Sequence, residues 1–95
     1  MKPNPEIRRK RSTRRVLLVL LSGAPRLGGF TICRSAMVGS GTLYPLLERL
    51  EHAGWVAGEW QQDTPAGQPR RRFYHLTLKG RTQALRMLGL EMPGA

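Results

Sequence analysis

The segment from Ser40 to Gly54, SGTLYPLLERLEHAG, constrains this chain more than any other. Leu43, Leu46, Leu47 and Leu50 stand at i, i+3, i+4 and i+7, one narrow apolar stripe on a helix. Gly41, Thr42, Pro45 and Arg49 fall on the opposite side, with Tyr44 and Glu48 on its flanks. Pro45 removes one backbone donor, and its ring crowds the carbonyl four residues back. That residue is Gly41, in the first or second turn where the cost is smallest, so a helix over 40–53 survives. Ser40 can cap it, and Gly54 ends it as a left-handed terminator. The stripe must be buried, which leaves a small polar edge facing outward.

After Gly54 the period changes from helical to alternating. Trp55–Gln61 and Arg70–Thr77 are rich in aromatic, valine and threonine residues, and DTPAGQP between them is a long polar turn. That is a hairpin, with Tyr74 and Leu76 on one face and Phe73 and His75 on the other. Upstream, RRVLLVLL (Arg14 to Leu21) is helix or buried strand by periodicity. Helix is favoured because the following elements are helical and a lone strand would lack a partner, with Ser12 or Thr13 as cap. SGAPRLGG is a loop by composition. Phe30, Cys33, Met37 and Val38 mark a short second helix, which Gly39 breaks. Thr77 caps a last helix over 78–90, with Leu78, Leu85 and Leu88 on one side, and Pro93 and Gly94 end it. Residues 1–13 carry two prolines and no apolar period, so a flexible basic arm precedes a domain over 14–92. The fold class is mainly α with a small β-hairpin (α+β), in the order α-α-α-β-β-α. This is a winged helix-turn-helix.

Charge then narrows the partner. The 95 residues hold 16 Lys+Arg against 6 Asp+Glu, a net +10. Thirteen of the sixteen bases are arginines, whose forks match phosphate oxygens two at a time. A polyanion is the natural partner, nucleic acid before anionic membrane. In a winged module the third helix enters the major groove and the hairpin lies along a backbone. Ser40, Gly41 and Thr42 are small enough to let helix 40–53 approach a duplex. Tyr44 and Arg49 can reach a phosphate or base edge, and Arg70, Arg71 and Arg72 stand on the wing, 61–72.

Other functions find less support. Cys33 is the single cysteine, so an internal disulfide is excluded, and with only His52 and His75 for company a zinc site is not expected. Cys33 reads as a small buried hydrophobe. No paired carboxylates, nucleophile with a histidine partner, or glycine-rich phosphate loop suggests an enzyme, and no cofactor is expected. RRKRSTRR followed by VLLVLLSGA imitates a secretory signal, but the apolar run is short and well under the ~20 residues of a membrane span. A cytoplasmic setting without a membrane partner fits. The alternative is a non-enzymatic winged-helix module that binds RNA or a protein.

GTLYPLLERLEHAGWVAGEW, with QPRRRFYHLTLKGR after it, resembles the PadR-like transcriptional regulators. Leu-Tyr-Pro within a reading helix and an arginine-rich return ending Tyr-x-Leu-Thr-x-x-Gly occur together at the family's separation, densely from Gly41 to Arg81. The resemblance implies sequence-specific binding of double-stranded operator DNA, often as a repressor. It sets Ser40, Thr42, Tyr44 and Pro45 on the DNA-facing helix and Arg70 to Arg72 on the wing. It also implies a homodimer through the first helix, 14–21, and the C-terminal helix, 78–90. The apolar run Val16 to Leu21 is the expected dimer surface.

Overall fold

The computed structural model describes residues 7–90. Its elements run α1 (Arg11–Leu21), β1 (Leu27–Gly28), α2 (Gly29–Ala36), α3 (Ser40–His52), β2 (Val56–Trp60), β3 (Arg72–Leu76) and α4 (Leu78–Leu88). Three helices pack together, and the β2–β3 hairpin extends from them as a wing. The winged helix-turn-helix is as expected, with one addition. The loop after α1 contributes a two-residue strand, so the sheet is antiparallel with the order β1-β3-β2. Leu27 pairs with Tyr74 and Gly28 with Phe73.

The core follows the leucines. Leu43, Leu46, Leu47 and Leu50 of α3 are all buried, and α1 meets them with Val16, Leu17 and Leu20. The run Val16–Leu21, expected as a dimer surface, is therefore largely consumed by the chain's own core. Leu18 is its one exposed member, at 51%. Trp55, Val56 and Tyr74 close the core from the sheet side.

Several boundaries differ from expectation, each for a local reason. α1 begins at Arg11, so Ser12 and Thr13 lie inside the helix instead of capping it; Lys10 is the N-cap and offers no side-chain acceptor. The described part of the basic arm is not free chain, because Ile7 is 4% exposed and belongs to the core; residues 1–6 lie outside the described residues. On α2 the inward residues are Gly29, Ile32 and Ala36, while Phe30 and Met37 face outward and Cys33 is half-buried. Of the residues expected to mark this helix, Cys33 and Val38 pack partly against the core, and the buried face is centred on Ile32. The N-cap of α3 is Gly39, which makes Ser40 the first helical residue.

α4 turns Gly80, Ala84 and Leu88 inward; of the expected leucine face Leu88 is buried and Leu85 half-buried, while Leu78 is 84% exposed. Gly80 explains the choice, since a Cβ there would overlap the Trp55 backbone. Gly89, at φ 68°, ends α4 two residues early, and Pro93 and Gly94 lie outside the described residues. Thr77 starts this helix as expected. Its hydroxyl accepts from the Gly80 N–H (3.0 Å) and donates to the Gly54 carbonyl (2.6 Å). Gly54 has φ +80° and terminates α3, so one threonine ties the start of α4 to the end of α3.

Candidate nucleic-acid interface

Helix α3 presents its outer face without interruption through Pro45. Gly41, Thr42, Pro45, Glu48, Arg49 and His52 are all exposed along it. Gly41 is informative. A Cβ at this position would meet nothing within 4 Å, and its φ is not positive, so neither packing nor backbone geometry requires glycine. A glycine in a helix is less stable than alanine there.

The two flanks of α3 meet different neighbours. On one side Tyr44 leans across the start of α2. A Cβ at Gly29 would lie 2.7 Å from the Tyr44 Cζ, so that glycine makes room for the ring. Tyr44 is thus half packing residue and half surface. Gly28, Tyr44, Trp60 and Arg70 share a groove here with Arg26, an exposed residue at φ 56° just before β1. Sequence reasoning missed Arg26 because its place beside the wing depends on β1. On the other side, Thr42 and Arg49 border a groove whose far wall is the segment Arg8–Thr13.

The three wing arginines part company. Arg71 is exposed, and its side chain forms no hydrogen bond or ion pair among the described residues. Arg70 is exposed as well, with its Nε donating to the Gln61 carbonyl (3.3 Å) and its guanidinium 5.8 Å from the Trp60 ring centroid. Arg72 turns inward. Its Nη2 donates to Glu51 Oε2 at 2.9 Å, and its guanidinium lies 5.1 Å from the Trp60 ring and 5.9 Å from the Tyr74 ring. Gly58 permits this, since a Cβ there would come within 2.6 Å of the guanidinium. Arg72 thereby links the wing to α3 across 21 residues through one guanidinium nitrogen, while its side chain stays partly exposed. Burial, and then the Glu51 carboxylate, push the Tyr74 phenol above its ordinary pKa.

Among the described residues there is no group of three metal-ligating side chains, and no helix is long and apolar enough to cross a membrane. Three packed helices, with the third turned outward beside a β-hairpin, make a winged helix-turn-helix. Residues 31–86 match the model of the Transcriptional regulator PadR-like family, and the chain belongs to that family. Its members are DNA-binding transcription regulators.

Solved structures agree. A PadR-like transcription factor from Bacteroides fragilis is similar at 27% identity, over 80% of this chain and 75% of that one, with a TM-score of 0.65. NadR in complex with 4-hydroxyphenylacetate shares the fold at 23% identity and a TM-score of 0.67, over 85% of this chain and 54% of its own. Disulfide-formed AbfR is similar at 32% identity and a TM-score of 0.61, over 83% of this chain and 57% of its own. The chain thus spans about half the length of NadR and AbfR. A comparison with curated proteins found no significant match.

Proposed function

We propose that this chain binds double-stranded operator DNA as a transcription regulator, a repressor in the first instance, acting in the cytoplasm. Helix α3 reads the major groove through Ser40, Gly41, Thr42, Tyr44, Pro45 and Arg49. Arg70 and Arg71 on the wing hold the backbone, and Arg72 sets the wing's angle from behind. The observation that supports this reading is Gly41, on the outward face of α3, whose missing side chain answers to no neighbour among the described residues. Arg49 is the residue suited to a bidentate base contact, worth about 1–3 kcal/mol of discrimination. The role is binding, and no catalytic step or cofactor is assigned.

A homodimer through α1 and α4 extends the proposal. Leu18 on α1 and Leu78 on α4 are exposed apolar groups that a second copy could cover. The test is a competition binding experiment with duplex DNA, duplex RNA and single strands, paired with sedimentation of the free and bound protein. Duplex DNA winning, at two chains per site, supports the reading. Preference for RNA, or no nucleic-acid binding, removes it.

A further inference from the structure

The reading helix has a cationic wall on each side, the wing on one and the segment before α1 on the other. Ile7 is buried in the core and pins the chain just before the run Arg8-Arg9-Lys10-Arg11, all four of them exposed. The Lys10 N–H donates to the Arg8 carbonyl at 2.9 Å, and the Arg14 N–H to the Lys10 carbonyl at 3.0 Å, so these bases sit on backbone that is already hydrogen-bonded. Arg8 and Lys10 face Thr42, Pro45 and Arg49 of α3 across an open groove of about 810 Å³. One carboxylate, Glu48, borders the same groove against these cations.

A helix seated in a major groove has one phosphate strand on either side of it. The protein offers the matching pattern: Arg70 and Arg71 beyond the Tyr44 flank, Arg8 and Lys10 beyond the Thr42 flank. We propose that the segment Arg8–Lys10 is a second, preformed backbone-binding rail, which takes the DNA strand opposite the one held by the wing. It rests on the DNA-reading role of α3. A rail fixed in the free protein differs from a loose tail, because little ordering is left to be done when DNA arrives.

The experiment measures affinity for a short random-sequence duplex by fluorescence anisotropy across a salt series, with the full chain. Each phosphate contact contributes about 0.9 to the slope of log K against log salt. The pairs R8A/K10A and R70A/R71A are each expected to flatten the slope by about 1.8, and the quadruple variant by about 3.6, since opposite strands act independently. Circular dichroism confirms that each variant is folded, and hydrogen exchange adds a readout on the unaltered chain: the hydrogen-bonded amides of Lys10 and Arg14 are protected before DNA is added. A slope unchanged in R8A/K10A but flattened in R70A/R71A overturns the rail and leaves the reading helix standing. Unprotected exchange at the Lys10 and Arg14 amides in the free protein also overturns it, by showing a tail. A wild-type chain that does not bind duplex DNA removes both proposals together.

Discussion

Replacing Gly41 with alanine separates what the fold needs from what the partner needs. In the free protein the new methyl meets nothing within 4 Å, and the backbone is one that any residue adopts. Alanine is favoured over glycine by roughly 0.5–1 kcal/mol within a helix. Gly41 is the second residue of α3, so the lower figure applies, about 0.5 kcal/mol of added stability. For a domain of this size that raises the melting temperature by about 2–4 °C. In the complex the same methyl stands between α3 and the duplex. Holding the helix away from the bases forfeits at least one good contact, worth about 1–3 kcal/mol, which lowers affinity by roughly 5- to 150-fold. Thermal melting by circular dichroism and anisotropy on one preparation give both numbers. A variant that melts higher and binds DNA as well as wild type would refute the reasoning, because Gly41 would then not lie at the closest approach.

Three other outcomes follow from the geometry. Arg72→Ala is expected to lower stability by about 1–2 kcal/mol, from one partly exposed ion pair and two ring contacts, without changing the salt slope that R70A/R71A flattens. A slope loss of about 0.9 in Arg72→Ala would return this residue to the DNA surface. Gly80→Ala drives a methyl into the backbone of Trp55, and chemical denaturation should show a loss of about 3 kcal/mol or more, or no folded protein at all. Tyr74 has a raised pKa in the folded state, so its stabilising effect is complete below the unfolded value near 10 and disappears as pH rises through the folded one. Denaturation at rising alkaline pH should show that decline in wild type and not in Tyr74→Phe.

What could be read in the sequence was what local chemistry decides alone. Four leucines at helical spacing, Gly54 after them and Thr77 before α4 each act through neighbours a few residues away, and all three occupy the expected places. The hairpin was legible for the same reason, as alternation on either side of a proline-and-glycine turn. Burial that depends on a distant partner was not. β1 has two residues and exists because β3 lies beside it. The inward face of α2 is Gly29, Ile32 and Ala36, set by the neighbours that pack on it, while Phe30 and Met37 point out. Arg72 looked like its two neighbours until Glu51, Trp60 and Gly58 were brought together around it. In the candidate site, the outward edge of α3 was visible from the leucine stripe by subtraction. Arg26 and the pinned Arg8–Lys10 segment were not, because β1 and the burial of Ile7 place them.

The central claim is that the small outer edge of α3 and the cations beside it form one surface for a DNA duplex. Titrating a short duplex into isotopically labelled protein, and following every backbone amide by nuclear magnetic resonance, tests it most directly. The largest shifts should fall on residues 40–49 of α3, on the wing tip at 61–71 and on residues 8–10. Shifts confined to the outward side of α2 around Phe30 and Met37, or to Leu18 and Leu78, with residues 40–49 unmoved, would contradict it.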